Sequence, residues 1–420
     1  MFGLCDANNF YASCERVFNP SLIRRPVVVL SNNVGCVIAR SNEAKKLGIE
    51  MGAPYFQIKQ LARRGNVAVF SSNFVLYGDM SRRVMSLLKK FAPTTEIYSI
   101  DEAFMDISGI DNAELDGLGH EIARTVKQYT GIPVSIGIAP TKTLAKIASK
   151  LCKQYPKLDG CCFMHRPQGI EKVLRRYPIE DIWGVGRRYA KMLKANGVNT
   201  AWDFTQLTPE WVRKRMSVVG LRMWKELRGE ACIGFEQAPV DKKQIATTRT
   251  FAHDIDDFGE LHQSVAQYAA ACAEKLRKQN SVCGEIVVFI LTNRHKDNIP
   301  QHYESRPLKL SVPTDSTLEL TKYVSLLLRQ IFRKGYAYKR TGVILSDISS
   351  KTGTQRDMFD AADRDKHDRL MKAIDGLNAA YGKPKIVTAA EGFERFRMNR
   401  NHLSGKFTTD WEQIIRIKSG

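Results

Sequence analysis

No segment of this chain approaches the roughly 18 consecutive apolar residues that a membrane-spanning helix needs, so a transmembrane protein is not expected. Residues Met1 to Asn9 hold no basic region followed by an apolar stretch, so a secretory leader is not expected either. The nine cysteines form no C-x-x-C pair and have no histidine partners at zinc-ligand spacing, which argues against a disulfide framework and a zinc site. A reducing cytoplasm is the expected compartment. Low-complexity tracts and clear internal repeats are also missing. Acidic residues are in short supply: 44 Asp and Glu stand against 64 Lys and Arg, a net charge of +20. Such a field attracts polyanions, either nucleic acid or an anionic membrane surface. The positive residues run from Arg16 to Lys418 without one long basic block. That spread favours folded surfaces that track phosphates over a disordered basic tail.

What is present reads as several domains, two to four for 420 residues. Residues 1 to about 165 alternate short apolar runs with amphipathic helices, the pattern of a mixed domain of helices and strands. Strands are predicted at Phe2 to Cys5, Val27 to Leu30, Cys36 to Ala39, Val67 to Phe70, Glu96 to Ile100, Ala103 to Ile107 and Val134 to Ile138. Tyr77, Met80, Val84, Leu87 and Phe91 mark one helix, Leu115, Leu118, Ile122 and Val126 a second, and a third runs from Thr141 to about Lys153. From 166 to 235 strand signals vanish, and short helices follow at Tyr189 to Ala195, Pro209 to Arg215 and Leu221 to Arg228. Residues 240 to 350 read as βαββαβ, with strands at 244–251, 285–291, 307–312 and 343–348 and helices at 259–279 and 316–333. Ser349 to Gln355 is a Ser, Thr, Gly and Lys rich linker that leads to a polar segment of weaker pattern.

Three carboxylates stand out. Asp6 follows the first apolar run, where a strand ends at a cleft or simply turns. Asp101 and Glu102 lie at or beside the tip of a hairpin, where a solvated turn is the plain alternative. If the three meet at one sheet edge, they repel one another unless hard cations lie between them, and Mg²⁺ suits such sparse carboxylate ligation. Spacing alone leaves that meeting open.

The wording around these acids is more specific. Asp6-Ala7-Asn8-Asn9-Phe10-Tyr11-Ala12-Ser13-Cys14-Glu15 and Tyr98-Ser99-Ile100-Asp101-Glu102-Ala103-Phe104 resemble the two metal-binding motifs of Y-family DNA polymerases. The resemblance is to the UmuC-type branch and continues through Val27 to Asn33, Thr141 to Lys146, Trp183 to Arg188 and Phe407 to Thr409. It implies an α+β multidomain, right-hand polymerase: palm with inserted fingers at 1–165, helix-hairpin-helix thumb at 166–235, βαββαβ little finger at 240–350 and a UmuC-like C-terminal segment at 351–420. The implied reaction is error-prone, lesion-bypassing DNA synthesis in the SOS response, by attack of a primer 3′-hydroxyl on the α-phosphate of a deoxynucleotide. Asp6, Asp101, Glu102 and the carbonyl of Ala7 would hold two Mg²⁺ ions per active site. Tyr11 resembles the steric gate against a ribose 2′-hydroxyl, with Phe10 stacking nearby. Asn42 and Lys45 stand where many members carry a Tyr and an Arg that grip the triphosphate, and Lys153 resembles the family's triphosphate lysine. Val34 replaces the Asp that UmuC-type chains usually carry in an Asn-Asn-Asp-Gly turn.

Gly184, Val185, Gly186 and Arg187 have the form of a hairpin whose backbone amides approach a DNA phosphate, and no predicted strand precedes them as a nucleotide-binding loop would require. Lys278, Arg294, Lys296, Arg306 and Lys309 give the βαββαβ region a basic face for DNA. Gln355, Met358 and Phe359 resemble the short Gln-x-x-Leu-Phe peptide that docks on the bacterial sliding clamp, with Met in place of Leu. Expected partners are primer-template DNA, deoxynucleoside triphosphates, the sliding clamp, a processed UmuD-type dimer and a RecA filament, with no membrane. Two rivals keep parts of this picture: a DNA-binding repair factor with a dead palm, and a metal-dependent nuclease or nucleotide cyclase. The intact carboxylates oppose the first, and Tyr11 with Phe10 opposes the second.

Overall fold

A computed structural model describes residues 1–32, 35–236, 241–353, 360, 362–381, 385–392 and 400–415. They fall into two compact units, one built from residues 1–31, 35–238 and 401–420, the other from 32–34 and 239–400. The stretch expected as one segment at 351–420 is thus divided, its last part packing with the first unit.

In the first unit β1 (Phe2–Ala7), with α1 (Phe10–Phe18) after it, is the central strand of a five-stranded sheet. A second group of elements follows: β2 (Val27–Leu30), β3 (Val37–Arg40), α2 (Asn42–Lys46), α3 (Tyr55–Arg64) and β4 (Ala68–Ser71). Its three strands form their own sheet in the order β3-β2-β4 around Val28, Leu30, Val37, Ile49 and Ile58. The chain returns through α4 (Phe74–Phe91), β5 (Thr95–Ile97), β6 (Glu102–Asp106), α5 (Asn112–Thr130), β7 (Val134–Ala139), α6 (Lys142–Gln154) and β8 (Cys161–Phe163). The large sheet has the order β5-β6-β1-β7-β8, with β1 antiparallel to both neighbours.

Alternation along these strands sends side chains to two different cores. Cys5, Ala7, Ala103, Met105, Ile136 and Ile138 pack with residues of α4 and α5. Leu4 and Phe104 join Leu144 and Ile147 of α6, together with the helices α7 (Pro167–Leu174), α8 (Arg187–Ala195), α9 (Ala201–Thr205) and α10 (Pro209–Leu227). Gly137 lets α6 lie directly on β7, because any Cβ there would collide with the Ala145 carbonyl and the Ser149 amide. The two helices expected at 209–215 and 221–228 are present within α10, separated at Ser217, whose φ of 62° breaks the helical path.

The second unit has β9 (Ile245–Ile255), α11 (Phe258–Lys278), β10 (Ser281–Thr292), β11 (Tyr303–Thr314), α12 (Thr317–Ile331) and β12 (Tyr338–Ser350), which is the expected βαββαβ order. The sheet is antiparallel in the order β11-β10-β12-β9. Leu261, Val265, Leu276, Leu320 and Leu328 of the two helices bury against Ile286, Val288 and Val343. A further helix, α13 (Arg364–Ala380), is not foreseen by the sequence pattern. Polar contacts dock it: Arg277 forks onto Asp375 through Nε and a terminal nitrogen at 2.6 and 2.8 Å, and Lys351 reaches Asp368 at 2.7 Å.

Candidate active site

The same alternation that builds the cores aims the carboxylates. Asp6 shares its side of β1 with Leu4, Glu102 shares its side of β6 with Phe104, and Asp6 pairs directly opposite Glu102. Both acids therefore face α6. Asp101 sits at the hairpin tip, joined to the end of β1 by a 2.8 Å hydrogen bond from the Ala7 amide to its carbonyl. Ser99 shapes that tip: its hydroxyl donates to Asp101 Oδ1 at 2.6 Å and accepts from the Glu102 amide at 3.0 Å. The sheet thus brings Asp6, Ala7, Asp101 and Glu102 to one edge.

Helix α6 answers them with a row of lysines spaced four, four and three residues apart, which puts them on one face. Lys142 meets Glu96 at 2.6 Å, Lys146 meets Glu102 at 2.8 Å, Lys150 meets Asp181 at 3.0 Å and Lys153 meets Asp6 at 2.5 Å. Lys146 also lies over the rings of Tyr98, Phe104 and Trp183. Of the four only Lys153 was singled out from the sequence; the spacing of lysines was the signal for the rest. Even with Lys153 beside it, the Asp6 carboxyl is pushed up to about 6, chiefly by burial and further by the charges of Glu102 and Asp101.

Beyond this edge, α1 presents Tyr11, which is half-buried and stacks on Tyr77 with centroids 4.5 Å apart and planes 14° apart. Phe74 meets its edge at 5.9 Å. Phe10, expected to touch nucleotide, is only 4% exposed and belongs to the core, so it supports Tyr11 from behind. Lys45 and Asn42 do converge, Lys45 donating directly to Asn42 Oδ1 at 3.3 Å, and both also meet Asn9, which was not singled out from the sequence: Lys45 donates to Asn9 Oδ1 at 2.7 Å and Asn9 donates to Asn42 Oδ1 at 3.1 Å. Asn9 has φ 49°, a left-handed conformation that Asn tolerates, and its place in the Asn8-Asn9 pair was the available sign. The Lys45 ammonium is held below its usual range by burial and by the nearby charges of Arg40 and Lys153.

The Gly184 to Arg187 turn is in place ahead of α8. Gly184 has φ 95° and Gly186 is the N-cap residue, while Val185 points inward and is buried. Trp183 Nε1 donates to Tyr98 Oη at 3.1 Å, linking this turn to the carboxylate hairpin. In the second unit Lys278 and Lys296 are engaged by Glu274 and Asp254, while Arg294 covers Tyr303. Gln355, Met358 and Phe359, like Val34, lie outside the described residues.

Comparison with known proteins agrees in extent and kind. Residues 5–150 match the model of the impB/mucB/samB family, and residues 242–358 match the C-terminal domain of the same family. Residues 368–417 match a domain of unknown function (DUF4113). Protein UmuC of Salmonella typhimurium is 43% identical over 422 residues, covering 100% of both chains. The chain belongs to the impB/mucB/samB family. It is a UmuC-type member of the Y-family DNA polymerases, an enzyme of error-prone translesion DNA synthesis in the SOS response. DNA polymerase IV 1 of Halalkalibacterium halodurans is 27% identical over 404 residues, covering 93% of each chain. The fold of the family is seen in a solved Y-family DNA polymerase chimera, Dbh-Dpo4(243-245)-Dbh, at a TM-score of 0.68 and 24% identity, covering 83% of this chain and 100% of that one. Among the described residues no helix is long and apolar enough to cross a membrane.

Proposed function

We propose that Asp6, Asp101 and Glu102, with the backbone carbonyl of Ala7, hold two Mg²⁺ ions per active site, and that the bound substrates are primer-template DNA and a deoxynucleoside triphosphate. The observation that carries this reading is geometric: Asp6 stands directly opposite Glu102 in the β1–β6 ladder and Asp101 is joined to the end of β1 through the Ala7 amide, so three carboxylates offer hard oxygen donors at one place. Asp6, Asp101, Glu102 and the Ala7 carbonyl would hold these ions, which when bound would supply acidification of the primer 3′-hydroxyl and charge neutralisation at the departing pyrophosphate. The chain's own residues position the reactants. Lys45, with Asn42 beside it, and Lys153 contact the triphosphate, and the Tyr11 ring fills the space a ribose 2′-hydroxyl would need. Lys146 keeps Glu102 aimed at the site, since its ammonium is boxed by three rings and cannot follow the carboxylate elsewhere.

In the same reading residues 1–165 are palm and fingers, 166–235 the thumb, 240–350 the little finger and 351–420 a C-terminal segment that carries the clamp peptide. The amides of the Gly184 to Arg187 turn grip a phosphate of the duplex. A sliding clamp, a processed UmuD-type dimer and a RecA filament are the protein partners, and the cytoplasm is the compartment.

Two experiments test these assignments. Mg²⁺ or Mn²⁺ titrated into the complex with primed DNA and a non-hydrolysable deoxynucleotide should saturate at two ions per chain in the wild type and at fewer in Glu102→Gln. Equal stoichiometry in both would remove Glu102 from the ligand set. Deletion of Gln355 to Phe359 should weaken clamp binding and leave distributive synthesis intact, whereas unchanged clamp affinity would dismiss the peptide.

A further inference from the structure

The segment 401–415 lies within the stretch that matches a domain of unknown function, and it packs as a strap against the first unit. Its backbone pairs with the end of β4: the Ser71 amide donates to the His402 carbonyl at 2.8 Å, and the His402 amide donates to the Ser71 hydroxyl at 3.2 Å. Phe407 stacks on Phe18 of α1 at 5.0 Å. Asn73, the N-cap residue of α4, accepts from the Leu76 amide and gives its own amide hydrogens to the Ser404 hydroxyl at 3.0 Å and to the carbonyls of Ser404 and Gly405.

One carboxylate oxygen gathers the rest. Glu15, 2% exposed, accepts at Oε1 from the Ser404 hydroxyl at 3.0 Å and from the Tyr77 hydroxyl at 2.6 Å. Tyr77 is the ring on which Tyr11 stacks, and Tyr11 lies one helical turn before Glu15 on α1. A buried carboxylate needs such donors, because each lost hydrogen bond leaves the charge less compensated and its geometry less fixed.

We infer that the C-terminal strap, through Ser404, is a positioning element for sugar discrimination: it fixes Glu15, Glu15 fixes Tyr77, and Tyr77 backs the Tyr11 ring. The inference rests on the reading of Tyr11 as the gate. It gives the terminal segment a task inside the polymerase that is separate from recruiting partners. It also makes Ser404 a specificity-determining residue that never touches substrate.

The test measures kcat/KM for dCTP and for CTP opposite template guanine, in the full chain and under conditions in which the wild type extends a primer. Ser404→Ala should lower the deoxy-to-ribo ratio by about 3- to 10-fold, the scale of one charge-assisted hydrogen bond felt through two contacts. The change should come from faster ribonucleotide use, with dCTP kinetics within about 2-fold of wild type on that scale. Ser404→Thr, which keeps the hydroxyl, should restore the ratio. Asn73→Ser keeps a capping oxygen for α4 but drops the amide donor to the strap, and should repeat the Ser404→Ala result. Tyr11→Ala serves as the reference for a lost gate. If Tyr11→Ala lowers the ratio while Ser404→Ala and Asn73→Ser match wild type, the strap has no part in discrimination and the gate stands. A loss of turnover shared equally by both sugars would make the strap merely structural and overturn the inference. If Tyr11→Ala keeps the wild-type ratio, the gate reading fails and the inference fails with it.

Discussion

Replacing Asp6 with Asn should make the metal-free protein more stable while it abolishes polymerase activity. Asp6 is largely buried, and its carboxyl is raised from the usual carboxylate range to about 6 by burial and by Glu102 and Asp101, with Lys153 opposing. A raised carboxyl means that the folded state binds the proton more tightly than the unfolded chain does. The associated stability is therefore complete below about pH 4 and is lost as pH rises through about 6. A rise of about two on the pH scale corresponds to about 3 kcal/mol at most. Local relaxation and water entry reduce that to about 1–3 kcal/mol, or roughly 3–9 °C in a unit of this size. In chelator, Asp6→Asn should melt higher than wild type by that amount at pH 8, and the gap should close towards pH 4. Added Mg²⁺ should reverse the order, since a ligand at 100 times its Kd stabilises the form that binds it by about 2.7 kcal/mol. Differential scanning calorimetry at several pH values, with and without Mg²⁺, reads both effects. A variant less stable than wild type at pH 8 without metal would refute the charge argument, because it would mean that Lys153 alone balances the acids.

Two further perturbations probe how the site is held. Lys142 is 1% exposed and bonded to Glu96, so Lys142→Met should cost about 3–5 kcal/mol in urea unfolding, while Lys142→Met with Glu96→Gln should recover part of it. A loss below about 1 kcal/mol in the single variant would show that Glu96 is served well enough by its other contact, the Glu236 amide. Gly137→Ala should destabilise the first unit by about 1–3 kcal/mol or more, because α6 must back away from β7. Since α6 carries Lys146 and Lys153, primer extension should fall further than stability alone explains; a variant with wild-type melting and extension would show that the close approach is not needed.

The parts of the molecule governed by local pattern were legible in the sequence. Short apolar runs located β1 and β6, while the strand expected at Glu96 to Ile100 ends at Ile97, so the hairpin's turn begins earlier than the pattern indicated. The βαββαβ order followed from the change between two-residue and helical periodicity, although β9, β11 and β12 extend several residues beyond their apolar cores, where ladder pairing continues without hydrophobic support. Helix α13 escaped because it docks by ion pairs: Met371 is its one buried side chain, so no apolar stripe marks it. The break at Ser217 falls in the gap left between the helices expected at 209–215 and 221–228. At the site, Asp6, Asp101 and Glu102 were found by their wording, whereas Lys146 and Asn9 act through partners that only the fold brings near. Ser404 is the extreme case, 389 residues from the Glu15 it meets.

The most direct test of the catalytic account is extension of a primed template with Mg²⁺ and all four deoxynucleotides, comparing wild type with Asp101→Asn while DNA binding is followed separately by fluorescence anisotropy. The variant should bind primed DNA like wild type and extend it at least about 100-fold more slowly, a loss of about 2.7 kcal/mol or more in transition-state stabilisation. Extension at the wild-type rate by Asp101→Asn, with equal DNA binding, would contradict this, because the carboxylate edge would then not be where nucleotides are joined.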